Sequence, residues 1–236
     1  MMPAVDFHTH ILPGIDDGSA SVEESLAMLQ LEAKQGIRHV VATPHFYANH
    51  DTPERFLKRR AQAYGKLQDS MEAHEGLPQI HIGAEVYFFY GMSGCDTLQE
   101  LAVNGKKYIL VEMPHAPWTN SMYQELENIY SKRGITPVIA HIDRYIGPLQ
   151  THKIPERLSE LPVIVQANTS FFTKKMTAPM AMRMLREGKI QLLGSDCHNM
   201  QLRKPDMMPA IELIKDRLGP EAMEYIRHYE RCVLEE

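Results

Sequence analysis

Seven short apolar runs recur along the chain, and between them apolar residues return every three or four positions. The runs fall at residues 4–10, 37–42, 80–88, 108–112, 137–141, 162–168 and 190–194. They are apolar throughout rather than alternating, which predicts strands buried on both faces. The intervening segments predict helices. Ser21-x-x-Glu24 forms a capping box ahead of Val22, Leu26, Leu29 and Ala33, with Gly36 as the stop. Thr52-Pro53 opens a long polar helix running to about Glu75, ended by Gly76. The Lys58-Arg59-Arg60 run inside it reads as a solvated face. Further helices are expected over residues 97–103, 121–133 and 180–186, and from about Met207 onward.

Strands alternating with helices imply a parallel sheet. The residues that close the strands decide its form. His8, His10, His45, Glu85, Glu112, His141, Asp196 and His198 all fall at or near strand C-termini. A closed barrel gathers those ends at one mouth, whereas an open sheet spreads them along a line. The expectation is an α/β fold, a distorted (β/α)7 barrel, as one domain over residues 1–236 with no low-complexity linker.

Composition narrows the function. The formal net charge of −5 argues against non-specific binding to nucleic acid or to a membrane surface, both of which are anionic. Three cysteines give no disulfide framework and fit a reducing cytoplasmic compartment. No basic and apolar leader begins the chain, and no apolar stretch approaches the ~20 residues of a spanning helix. Twelve histidines are the unusual count. Of these, His39, His50, His74, His81, His115, His152 and His228 occupy no expected ligand position.

In an extended backbone, residues i and i+2 point to one side, so His8 and His10 can aim at a single point. Five histidines with several carboxylates exceed the needs of one ion, and structural zinc would use more sulfur. A nitrogen and oxygen set with bridging carboxylates suits two or three divalent ions, which acidify a shared water and stabilise a phosphoryl group under attack.

The ordered series D-F-H-T-H, L-P-G-I-D-D-G-S, A-T-P-H, G-A-E-V, V-E-M, A-H-I-D-R-Y and G-S-D-C-H-N resembles the PHP (polymerase and histidinol phosphatase) superfamily. More narrowly it resembles the manganese-dependent protein-tyrosine phosphatases of Gram-positive capsule and exopolysaccharide operons. That resemblance implies His8, His10, Glu85 and Asp196 around one ion, and Glu85, Glu112 and His141 around a second, with Glu85 bridging. Asp17, His45 and His198 would hold a third; Asp16 is the fallback for Asp17. Asp6 would orient a histidine from behind. Arg144 and Arg203 match the family's phosphate-binding arginines, and a planar guanidinium grips phosphate with paired hydrogen bonds. The implied ions are manganese, with iron, zinc or magnesium as alternatives.

The implied reaction is hydrolysis, a metal-bridging hydroxide attacking phosphorus in line while both arginines neutralise the equatorial oxygens. Tyrosinate leaves readily at a phenol pKa of about 10, so little acid help is needed; Asp143 or a metal-bound water is the candidate donor. Residues 171–175, Phe-Phe-Thr-Lys-Lys, are expected either to stack a substrate ring at the mouth or to pack as a loop. The partner implied is an autophosphorylating bacterial tyrosine kinase with a tyrosine-rich tail; oligomeric state is not specified. Three other readings compete. Cys197 to Arg203 has the C-x5-R spacing of cysteine-dependent phosphatases, but no glycine to curl the loop. The same fold can also hydrolyse a small phosphomonoester such as histidinol phosphate, or merely bind phosphorylated tails.

Overall fold

The computed structural model describes residues 4–146 and 153–235; His152 lies outside them. Among the described residues there are nine strands: β1 (Ala4–Thr9), β2 (Ile37–Ala42), β3 (His45–Phe46), β4 (Gln79–Ile82), β5 (Glu85–Tyr87), β6 (Tyr108–Glu112), β7 (Thr136–Ile139), β8 (Ile164–Asn168) and β9 (Leu192–Gly194). Every pairing is parallel, in the orders β1-β2-β4 and β3-β5-β6-β7-β8-β9.

The two sheets are one curled wall. Pro44 interrupts the chain between β2 and β3, and Gly83 interrupts it between β4 and β5. Gly83 N–H donates to Ala42 O and Glu85 N–H to Pro44 O, so bonding continues across the breaks. At the far side, Asp196 N–H donates to His8 O at 2.8 Å and His10 N–H to Cys197 O at 2.9 Å, which closes β9 onto β1. Counting each interrupted pair as one stave gives the seven staves of a distorted (β/α)7 barrel. The single strand expected over 80–88 is thus two, and His45 opens a strand instead of ending one.

The helices are α1 (Val22–Lys34), α2 (Pro53–Met71), α3 (Leu98–Leu101), α4 (Asn120–Arg133), α5 (Ile154–Leu158), α6 (Thr169–Thr173), α7 (Ala178–Arg186), α8 (Met207–Leu218) and α9 (Pro220–Glu235). Ser21 caps α1 by accepting from Glu24 N, while Glu24 reaches back to Ala20 N at 3.0 Å. The long helix α2 begins at its Thr52-Pro53 signal but ends before Gly76. Val5, Phe7, Val41, Leu110, Val138 and Leu192, drawn from five strands, pack into one apolar plug with Val233 of α9. A second, larger cluster binds the helices to the outside of the wall. Among the described residues, no helix is long and apolar enough to cross a membrane.

One irregularity in β1 matters for the chemistry. Asp6 pairs with Val40 and Thr9 with Ala42, so β1 spends one extra residue there. Such a bulge re-aims the side chains that follow it. Asp6 is turned toward α1, while His8 and His10, two and four residues on, reach the mouth.

Candidate metal centre

Strand ends and the turns after them bring all nine expected ligands together. Glu85 sits at the centre. His8 Nε2 and His10 Nε2 lie 3.2 and 3.3 Å from its Oε2, and both stand 3.6 Å from Asp196 Oδ1. On the opposite oxygen, His141 Nε2 lies 2.8 Å from Glu85 Oε1 and 3.5 Å from Glu112 Oε1. Glu85 therefore presents one oxygen to each of two ligand groups. A third group gathers around Asp17 Oδ1, which is 3.5 Å from His45 Nε2 and 3.6 Å from His198 Nε2.

Backbone strain marks two of these positions. His141 at φ 32° and Asp196 at φ 55° occupy the left-handed region that non-glycine residues avoid. Each lies two residues beyond a strand end, and the strained turn aims its side chain back into the mouth. Gly194 serves the same end by lacking bulk: a Cβ there would lie 2.5 Å from the Cβ of His8.

The donor set fits divalent ions. Glu85, Glu112, Asp196, Asp16 and Asp17 bring more negative charge than Arg144 and Arg203 offset. Burial disfavours a charged His10, yet hydrogen bonds and charge from Asp16 and Glu85 raise it to about 10. His141 is raised to about 9 against the same burial by Glu112 and Glu85. Burial also works against the Glu85 carboxylate, but His8, His10, His141 and His45 hold it well below its ordinary range. The field thus calls for cations. Glu85 Oε2, His45 Nδ1 and His198 Nε2 are buried without a well-formed hydrogen bond, although imidazole nitrogens stand 3.0 to 3.3 Å from that oxygen. Nitrogen and oxygen atoms converging in this way are what metal coordination satisfies.

Asp16 and Asp17 divide their work. Asp16 Oδ2 accepts from His10 Nδ1 at 2.8 Å and from His45 N–H at 3.0 Å, while Oδ1 accepts from Gly18 N–H. Its oxygens are spent on orientation; Asp17, two-thirds exposed, is the one that faces the histidines. Arg144 and Arg203 meet on Asp196, donating to Oδ2 at 2.5 Å and Oδ1 at 2.7 Å respectively.

Several expectations change. Asp6 touches no histidine ring; its Oδ1 accepts from the main-chain N–H of His8 and of Ser195, because the bulge separates it from the mouth. Ring orientation falls to Asp16 and to Gln166, whose Oε1 lies 3.4 Å from His8 Nδ1 and accepts from His141 N–H at 2.6 Å. Sequence reasoning missed Gln166. Its signal was an amide inside the apolar run V-I-V-Q-A-N. Phe171 and Phe172 are buried in α6 and pack as core, leaving Thr173, Lys174 and Lys175 exposed. Asp143 accepts from Asn168 N–H at 3.0 Å, which ties the turn after β7 to β8. Cys197 is fully buried, and burial drives its thiol well above the usual range. The loop after it folds on itself: Arg203 O accepts from His198 and Asn199 N–H, and Asn199 Oδ1 accepts from residues 201, 202 and 203. Those donors do not encircle the thiol as a phosphate cradle requires.

Residues 4–232 match the family described as capsular polysaccharide synthesis, CpsB/CapC. The tyrosine-protein phosphatase CpsB of Streptococcus pneumoniae is 30% identical over 232 residues, 91% of each chain. The tyrosine-protein phosphatase YwqE of Bacillus subtilis (strain 168) is 27% identical over 92% of this chain and 86% of its own. Among solved structures, one from work on YwqE and CpsB as "unique metal-dependent tyrosine phosphatases" superposes with a TM-score of 0.84. It covers 98% of this chain and 94% of that one at 22% identity, a likeness of fold. By the extent of the family match, the chain belongs to the CpsB/CapC family of capsular polysaccharide synthesis proteins.

Proposed function

We propose that this chain is a metal-dependent phosphoric monoester hydrolase that removes phosphate from phosphotyrosine in proteins. The observation that carries the reading is the convergence of three ligand groups around Glu85 and Asp17 with two guanidinium groups at the edge. His8, His10, Glu85 and Asp196 form one ligand set, Glu85, Glu112 and His141 a second, and Asp17, His45 and His198 a third. Divalent ions held by these sets would supply Lewis acidity toward the attacking water and the phosphoryl oxygens. The chain's own groups do the rest. Arg144 and Arg203, partly exposed and anchored on Asp196, turn their remaining N–H groups to the phosphate and neutralise charge that grows in the transition state. Asp16 and Gln166 hold the rings of His10 and His8, fixing which nitrogen faces the centre. The phenolate leaves without a dedicated acid.

Two or three ions, manganese first among them, suit this nitrogen and oxygen set. The substrate we infer is the tyrosine-rich tail of an autophosphorylating bacterial kinase in the cytoplasm, with residues 1–236 acting as one catalytic domain. Phosphate release from a phosphotyrosine peptide, measured after chelation and again after each of manganese, iron, zinc and magnesium is restored, tests the reading. Loss with chelator and recovery with metal, greatest for manganese, is the expected result. Activity indifferent to chelation would overturn it.

A further inference from the structure

Behind the metal centre, Asp6 of β1, Glu32 of α1 and Cys197 of the turn after β9 meet, a ligand atom of each within 4.8 Å of the others. All three are 0% exposed. Asp6 Oδ1 is occupied, accepting from His8 N–H at 3.2 Å and Ser195 N–H at 2.9 Å. Its Oδ2 and both oxygens of Glu32 receive no hydrogen bond from a nitrogen or hydroxyl donor. An oxygen of each of the two carboxyl groups nevertheless lies within 4.8 Å of the other, with no second donor between them. Two ionised carboxylates face to face in a dry interior repel strongly, and a single proton between them converts repulsion into a charge-assisted bond.

We propose that Glu32 is held as the neutral acid and donates to Oδ2 of Asp6, which makes it a positioning residue for the metal centre. The consequence follows through Asp6. With Oδ2 held from behind by Glu32, the other oxygen of Asp6 clamps two main-chain segments together. One carries His8 and His10; the other carries Asp196 and His198. Glu32 thus acts from α1 on the register between β1 and the turn after β9, without touching an ion or substrate. Burial and the neighbouring Asp6 and Asp206 carboxyls push the Glu32 acid upward, in the same sense.

This inference rests on the metal-centre reading and is independent of which phosphoester is hydrolysed. Two readouts test it without turnover. An infrared difference spectrum at neutral pH, wild type against Glu32→Gln, is expected to show a protonated-carboxyl C=O stretch belonging to the wild type alone. Calorimetric titration with manganese is expected to give wild-type affinity for Glu32→Gln, whose amide N–H still donates to Asp6. Glu32→Met, of similar length but without a donor, is expected to bind manganese about 10- to 100-fold more weakly, with circular dichroism confirming the fold. Absence of the infrared band overturns the proposal. So does equal weakening in both variants, which would mean that the Glu32 charge itself is needed, or wild-type affinity in Glu32→Met. Should Glu32→Met fail to fold, the infrared comparison decides alone.

Discussion

The carboxylate of Asp16 accepts from Nδ1 of His10 at 2.8 Å, which leaves the Nε2 of that ring pointing at Glu85. Two adjacent aspartates therefore have separable effects. Asp16→Ala frees the ring and is expected to weaken manganese binding about 10- to 100-fold, as loss of an orienting partner does. Asp17→Ala removes a ligand from the third group only. Metal analysis of the purified variant should show fewer ions per chain, while the ions held around Glu85 remain. Equal stoichiometry in both variants would contradict this division.

Arg144 and Arg203 flank the ligands and share Asp196, so either loss should act on the transition state more than on metal loading. Arg144→Ala and Arg203→Ala are each expected to lower kcat about 10²- to 10³-fold, the scale for removing one preorganised donor. Arg144→Lys should recover little, because an ammonium cannot make the paired contact. Steady-state kinetics on an aryl phosphate, with metal content measured alongside, checks both points.

Cys197 has the spacing of a nucleophile and the surroundings of a core residue. Its thiol, pushed well up by burial, stays protonated at neutral pH. Cys197→Ser is expected to keep full metal content and kcat, at a stability cost of about 1–2 kcal/mol for a buried hydroxyl. A folded, metal-loaded and inactive Cys197→Ser protein would return the cysteine mechanism to the front.

Glu230 provides a pH dependence far from the mouth. Burial raises its carboxyl from 4.5 to about 7, although it accepts from Val5 N–H and lies near Arg227 and Arg231. A raised acid binds its proton more tightly in the folded state. Its contribution is therefore complete below pH 4.5 and is lost as pH rises through about 7, by about 3 kcal/mol in all. Glu230→Gln keeps the acceptor for Val5 and removes the titration. Its melting temperature relative to wild type should climb between pH 4.5 and 8. A constant difference over that range would refute the assignment.

The barrel was legible because its staves are apolar on both faces and most of them carry a residue able to bind metal at or just beyond the C-terminal end. Tyr108–Glu112 and Ile37–Ala42 appear with the boundaries that hydrophobic patterning predicts. The splits at Pro44 and Gly83 were not, because continuity of apolar residues says nothing about which neighbour a backbone pairs with. Spacing likewise placed His8 and His10 together, while the resemblance misassigned Asp6. A bulge is a register event between two strands, invisible in one strand's sequence. The separate duties of Asp16 and Asp17 depend on which way the loop presents each carboxylate. Phe171 and Phe172 were ambiguous for a related reason: an aromatic pair after a strand serves a mouth or a core equally well until the helix direction is known.

The closure of β9 onto β1 has a consequence for biosynthesis. His8 and His10 are synthesised well before Asp196 and His198, which would complete their ligand groups. Before that point the emerging chain offers only partial chelates, with affinities far below that of the finished mouth. The complete set of ligands therefore exists only once β9 has docked on β1.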